Sequence, residues 1–191
     1  MLHSYPNIVF GYHGCDRKVG EAIVAGKEKL TISKNKYDWL GSGIYFWENA
    51  PSRALDWAKQ CAHNPHLSRG IVNEPFVVGA IIDLGLCLNL MDFSYVEVLK
   101  KAYSNLKQTF DLIDKPLPKN EGNMHGLDCA VINTAVALNL EDGNKDFDTV
   151  RGAYIEGSPV YPQAQLYDKT HIQISVRNPA CIIGYFSFSI A

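Results

Sequence analysis

Apolar and polar residues alternate along several short stretches of the chain, and this alternation is typical of half-buried β-strands. In THIQISVR the apolar side chains of Ile172, Ile174 and Val176 share one face, and polar side chains occupy the other. Strands are predicted in five stretches: residues 7–13, 41–47, 76–90 (one strand, or a pair joined at Gly85), 170–177 and 181–190.

Apolar residues recur every three or four positions in two longer stretches, residues 94–113 and 127–140, which predicts two amphipathic helices. Two shorter helices are predicted from their caps. Asp16 is a predicted N-cap for a helix that ends near Gly26, and Asn49 is a predicted N-cap for a helix with Pro51 in its first turn. Strands at both ends with helices between them predict an α+β domain whose first and last strands share one sheet.

Composition narrows the class of protein. A chain of 191 residues with 47% hydrophobic residues suits a single domain. The net charge of −2 shows no excess of basic residues of the kind that binds nucleic acid. The longest apolar runs fall short of a membrane span, and the first ten residues lack the features of a signal peptide, so we expect a cytoplasmic protein. Five scattered cysteines without a C-x-x-C pair predict reduced, buried thiols and no metal site.

Three segments carry residues that an ordinary core does not require. His13 ends the first strand beside Gly14, either as a structural histidine or at a point where a ligand can approach the backbone. Residues 41–47 (GSGIYFW) are either a bent core strand or a platform on which a flat heterocycle stacks. The third segment is the polar face of the 170–177 strand, which is either solvated on an edge strand or lines a cleft: His171, Gln173, Ser175 and Arg177.

The first two segments together resemble a known signature. YHGC, followed about thirty positions later by GSGIYFWENAPSRALDWA, resembles the motif of poly(ADP-ribose) polymerases and diphtheria-type toxins. The resemblance covers roughly residues 8–92 and, more loosely, 168–188. It does not explain residues 94–148, which we expect to be a helical insertion or lid within a single ADP-ribosyltransferase-like domain spanning residues 1–191.

The resemblance implies a split β-sheet with NAD bound in the cleft as substrate. By position, His13 would bond the adenosine ribose, the Gly14 backbone would hold the nicotinamide carboxamide, and Tyr45 would stack on the nicotinamide ring. Four further residues are candidate NAD contacts, with Trp57 as a second stacking aromatic one residue beyond the family's position: Gly43, Ser52, Trp57 and Arg151.

The chain departs from the family where the last catalytic strand normally carries a glutamate. That strand offers His171 and Gln173 instead, and of the two we favour Gln173 as the catalytic residue. Glu156, in the loop before the strand, could fold back to supply the missing negative charge. Loss of the glutamate goes with mono- rather than poly-ADP-ribosylation in the enzymes that this chain resembles.

We therefore expect a mono-ADP-ribosyltransferase of the toxin or defence-effector type, which transfers ADP-ribose from NAD to a protein or nucleic acid. An antitoxin or immunity protein is a possible partner, and neither a metal nor a membrane is expected. Two alternatives stay open at this point: an NAD glycohydrolase, with water as the acceptor, and a catalytically inactive module that binds NAD or ADP-ribose.

Overall fold

The computed structural model describes residues 7–68 and 70–188. Nine strands and four α-helices follow one another along this part of the chain: β1 (Ile8–Asp16), α1 (Arg17–Val24), β2 (Ile44–Glu48), α2 (Pro51–His63), β3 (Pro75–Asp83), β4 (Cys87–Asn89), α3 (Val96–Leu112), β5 (Asn120–Glu121), β6 (Met124–His125), α4 (Gly126–Glu141), β7 (Thr149–Tyr154), β8 (His171–Val176) and β9 (Ile182–Ser187).

Seven of these strands form one sheet in the order β4-β7-β8-β2-β1-β3-β9, and β5 pairs only with β6. Neighbours in the large sheet run antiparallel, except for the parallel pair β4 and β7. The first and last of the predicted strands, β1 and β9, do belong to the same sheet. The prediction of an α+β fold is confirmed.

Each face of the sheet is covered by a different layer. Tyr45 and Trp47 of β2 lie on one face, and the buried cluster that Tyr45 joins contains residues of α3 and α4; we call this the helical face. Ile44 and Phe46 lie on the opposite face, in a cluster with Ile174 of β8. Helix α1 covers part of that second face, where Ile23 packs with Phe76 and Val78.

All four predicted helices are confirmed, with one correction at a cap. Asp16 caps α1, its carboxylate accepting a hydrogen bond of 3.0 Å from the Lys18 amide. The prediction that Asn49 caps α2 is wrong: the N-cap position is Ala50, and Asn49 has a φ of 50° in the turn before it. Asparagine adopts that left-handed conformation more readily than most residues, which suits it to the turn.

The helices of residues 94–148 are built into the core. Ala102 of α3 and Ile132 of α4 are buried in one cluster with Leu40, Leu88 and Val150, which come from the sheet and its adjoining loop. Of the two expectations for this segment, an insertion or a lid, shared burial of this kind favours an insertion that forms a structural layer.

The sheet is only narrowly joined between β1 and β2. Strand β1 pairs with β3 from Ile8 to Asp16 but with β2 only at Gly11 and Tyr12, after which the two strands separate. The His13 side chain bridges the gap, with its Nδ1 2.8 Å from the Tyr45 carbonyl oxygen. The sheet is thus continuous, with a weak seam at the first motif histidine, which corrects the split sheet expected from the resemblance.

Candidate functional site

Strands β8, β2 and β1 are direct neighbours, so the fold brings the three sequence segments with unusual residues together. Gln173 pairs with Trp47, and Ser175 pairs with Tyr45, which places Gln173, Trp47 and Tyr45 on the helical face. Tyr12 pairs with Trp47, so its neighbour His13 lies on the opposite face, its ring edge-on to Phe46 at 5.9 Å. The contact between His13 and Tyr45 is therefore made at the seam, between the His13 ring and the Tyr45 backbone, and the two side chains lie on opposite faces of the sheet.

The polar face of β8 is enclosed. Because β8 lies between β7 and β2, the interpretation of its polar residues as the solvated face of an edge strand is wrong. Gln173 Oε1 accepts a hydrogen bond of 2.6 Å from the Trp39 indole. Since an indole N–H only donates, the contact fixes the amide with its oxygen toward Trp39 and leaves its NH₂ group to face elsewhere.

His171 begins β8 in a charged environment. Its Nδ1 lies 2.6 Å from the Lys169 carbonyl oxygen and 3.9 Å from Glu156 Oε2. Glu156 in turn accepts a 2.7 Å hydrogen bond from Arg53 of α2, which also binds Asp56. The loop after β7 therefore folds back, as expected from the sequence, and holds a carboxylate beside the start of β8.

Three buried polar atoms around this point have no hydrogen-bond partner among the described residues: Trp47 Nε1, Arg53 Nε and His171 Nε2. Leaving a buried polar group unsatisfied costs about 1–3 kcal/mol. Trp47 and His171 lie with ring centres 6.1 Å apart, and Arg53 reaches the carboxylate beside His171. A fold that tolerates several such atoms in one place has a candidate binding site there.

Aromatic rings surround this group of atoms. Trp57 of α2 lies 6.2 Å from Trp47, and Tyr154 of β7 lies 5.6 Å from His171. The Tyr154 hydroxyl is 2.6 Å from His125 Nε2, at the start of α4. Trp57, a predicted stacking residue, thus lies at the site, next to Trp47.

Sequence reasoning missed Arg53 and Tyr154. The sequence did carry a signal for Tyr154. This residue follows Gly152 at the spacing of alternate strand residues, so Tyr154 and Gly152 lie on the same face of the strand. Arg53 had none, since its contact with Glu156 spans 103 positions.

Tyr45 is half-buried on the helical face and tied down at its hydroxyl. The hydroxyl donates to the Gly41 carbonyl oxygen at 2.8 Å and accepts from the Leu40 amide at 3.0 Å. Burial, the largest cause, raises the pKa of Tyr45 well above its ordinary value. The phenol therefore stays neutral and holds the turn before β2, and its stacking role stays a prediction.

The glycines beside the aromatic cluster do not leave open space. A Cβ at Gly43 would overlap Ser175 Oγ, and one at Gly41 would lie 2.8 Å from Asn133 Oδ1. The expectation that Gly43 clears room for NAD is wrong, because β8 fills that room. Gly14 is also explained by packing, since a Cβ there would overlap the backbone oxygen of Ala54 in α2.

Arg151 does not join the candidate site, which corrects a second expectation. It pairs in register with Ile174, which puts it on the face opposite Gln173. Its guanidinium donates two hydrogen bonds to Glu48, whose side chain is only 7% exposed. Ser52, a further predicted contact, lies exposed in the first turn of α2, next to Arg53.

We expect the free energy of unfolding to fall as the pH is lowered from about 7 to about 5. Burial lowers the pKa of both His13 and His171 below the ordinary value of about 6.5. The unfolded chain then takes up protons in a range where the folded chain does not, which favours unfolding. Melting temperatures across this range test the expectation, and a constant or rising value on acidification would contradict it. Replacing the exposed His66 with asparagine should leave the slope unchanged.

Other features of the described residues add no second site. Among residues 7–68 and 70–188, no group of three or more His, Cys, Asp and Glu side chains is arranged to hold a metal ion. In the same ranges, no helix combines the length and the apolar character needed to cross a bilayer. A groove of about 440 Å³ between α3 and α4 is lined mainly by apolar side chains and touches the site only at Trp39.

Comparison with known proteins gives one match of note. The chain is 29% identical over 189 residues to an uncharacterized protein of Methanocaldococcus jannaschii, and the match covers 90% of this chain and 83% of that protein. No protein-family model and no solved structure matches the chain. Because the archaeal protein is itself uncharacterized, the similarity transfers no function.

Proposed function

We propose that this protein is an NAD-dependent mono-ADP-ribosyltransferase, which transfers ADP-ribose to a macromolecular acceptor and releases nicotinamide. The observation that carries the proposal is the buried group of unpartnered polar atoms on Trp47, Arg53 and His171, with the Glu156 carboxylate beside it. Chemistry of this kind needs polar groups to orient the substrate and a negative charge next to the reacting sugar.

The order of the strands supports the same proposal. The two segments that resemble the transferase signature, around His13 and Tyr45, meet at the seam between β1 and β2. The strand expected to carry the third catalytic position, β8, pairs directly with β2. The three segments therefore lie on adjacent strands of one continuous sheet, and this adjacency supports the proposal.

Glu156 meets the main chemical requirement. When the bond between the nicotinamide nitrogen and ribose C1′ breaks, its electron pair leaves with nicotinamide and positive charge develops on the ribose. A carboxylate near the sugar lowers the energy of that state. Arg53 holds Glu156 at the start of β8, where the polymerases have their glutamate, so we assign Glu156 this electrostatic role.

Gln173 and the aromatic rings would position the substrate. With its oxygen bonded to Trp39, the Gln173 amide presents N–H donors, which suit a ribose hydroxyl oxygen. The flat faces of Tyr45, Trp47 and Trp57 suit the nicotinamide ring. Fixing the ring and the sugar relative to each other lowers the barrier to bond cleavage through orientation.

Incubation with NAD labelled on its adenylate part, with and without cell lysate, tests the proposal. We expect free nicotinamide together with label attached to a macromolecule. Release of nicotinamide with only free ADP-ribose would instead indicate an NAD glycohydrolase. An increase in melting temperature with NAD but no nicotinamide release would indicate a binding module.

A further inference from the structure

We propose that His171 is the general base that activates the acceptor, and that the acceptor group is therefore a hydroxyl rather than a carboxylate. The inference rests on the transferase function proposed above and names the substrate class of the same site.

The hydrogen bonding of His171 settles which ring nitrogen is free. A backbone carbonyl only accepts hydrogen bonds, so the contact of 2.6 Å with the Lys169 oxygen places the proton on Nδ1. The lone pair is then on Nε2, which is buried and has no hydrogen-bond partner among the described residues. With a side chain only 1% exposed, the ring holds an unused basic nitrogen inside the site.

The groups around the ring suit a base that gains a proton only during reaction. Burial, the largest cause, lowers the pKa of His171, which keeps the ring neutral before the acceptor arrives. The charged and titratable neighbours are Arg53 from α2, Tyr154 from β7 and Glu156 from the loop after β7. Glu156 Oε2 lies 3.9 Å from Nδ1, where it stabilises the imidazolium once Nε2 is protonated.

The transfer step balances with His171 in this role. Nε2 takes the hydroxyl proton of the acceptor, and the acceptor oxygen forms a bond to ribose C1′. The bond from C1′ to the nicotinamide nitrogen breaks, and its electron pair neutralises the pyridinium charge of the departing nicotinamide. The products are an O-glycoside of ADP-ribose and neutral nicotinamide, and the imidazolium later returns its proton to solvent.

The need for a base points to the class of acceptor. A carboxylate is already ionised at neutral pH and attacks without losing a proton, so a base beside it would contribute nothing. A hydroxyl group keeps its proton at neutral pH and attacks faster when a base removes it. Nε2 is buried, and the rings of Trp47 and Tyr154 lie 6.1 Å and 5.6 Å from the His171 ring, so bulk water is kept from the base, which limits hydrolysis.

Small probes test the inference on the full chain with adenylate-labelled NAD, using ethanol as the hydroxyl probe and acetate as the carboxylate probe. We expect ethyl ADP-riboside to form with ethanol, and no acetate-dependent increase in nicotinamide release. In His171→Asn the amide retains a donor near the position of Nδ1, but Nε2 is lost. Formation of the ethyl product should fall about 100-fold, with the increase in melting temperature caused by NAD retained.

A matched control and a pH profile separate this role from a structural one. His63 also places its Nδ1 against a backbone carbonyl, that of Lys59, but is exposed, so His63→Asn should match the unmodified chain. Formation of the ethyl product should rise with pH through the titration of His171 and then level off, and His171→Asn should lack that rise.

An ethyl product formed by His171→Asn at the unmodified rate would overturn the inference, as would acetate acting as readily as ethanol. The comparison of acetate with ethanol uses the unmodified chain, so it tests the inference even if His171→Asn does not fold. Nicotinamide release with cell lysate but no ethyl product with ethanol would overturn the inference alone. Absence of nicotinamide release from the unmodified chain with both probes and with lysate would overturn the proposed function itself, and the inference with it.

Discussion

Replacing Glu156 with glutamine should lower the rate of nicotinamide release from NAD about 100-fold or more, which is the effect of removing one electrostatic contact to a charged transition state. Glutamine keeps an oxygen that can accept the Arg53 hydrogen bond, so the loop should stay in place while the negative charge is lost. The measurement is the initial rate of nicotinamide release at saturating NAD.

A matched control is available for this variant on α3. Glu97 also forms an ion pair, at 2.8 Å with Lys100, but both side chains are largely exposed. Glu97→Gln should leave the rate unchanged, because an exposed pair contributes little. If Glu156→Gln retained a rate within about threefold of the unmodified chain, an effect too small for a lost transition-state charge contact, the electrostatic role of Glu156 would have to be abandoned.

Replacing Gly14 with alanine should lower the melting temperature by roughly 10 °C, or prevent folding. The added Cβ would overlap the backbone oxygen of Ala54 and lie 3.2 Å from the Ala58 side chain, so α2 would have to move off the sheet. Forcing extra volume into a packed interior costs about 1–3 kcal/mol, and more where the obstacle is backbone. Each kcal/mol shifts the melting temperature of a domain of this size by about 2–4 °C.

Gly70→Ala is the appropriate comparison for Gly14→Ala. Among the described residues, no atom beyond Gly70 and its chain neighbours lies within 4 Å of the position that a Cβ would take there, so this variant should melt close to the unmodified chain. Equal melting temperatures for the two variants would show that α2 does not pack on β1 as described.

Periodicity predicted most of the elements but missed β7, and it did not predict the contacts between elements. The alternation in THIQISVR correctly placed Ile172, Ile174 and Val176 on one face of β8, where Ile174 and Val176 are buried, because a period of two follows from strand geometry alone. That β8 lies in the middle of the sheet depends on its pairing with β2 and β7, and no local pattern encodes pairing across such distances.

In the candidate site, too, some residues could be identified from the sequence and others could not. His171, Glu156 and Trp57 were identified from the sequence, and the structure places all three around one group of buried atoms. Gly43 was misassigned because the sequence does not tell which neighbour fills the space beside a glycine. Arg151 was misassigned because its partner, Glu48, lies 103 positions away on an adjoining part of the sheet.

The central position of β8 has a consequence for biosynthesis. Residues 171–176 lie in the sheet between two strands that are made earlier, so β2 and β7 gain their shared neighbour only after β8 has left the ribosome. Pairings this distant in sequence form slowly, since the chain must close a long loop before any contact stabilises it. A growing or truncated chain that lacks β8 also lacks His171 and Gln173, so the bridging of β2 to β7 and the completion of the site coincide.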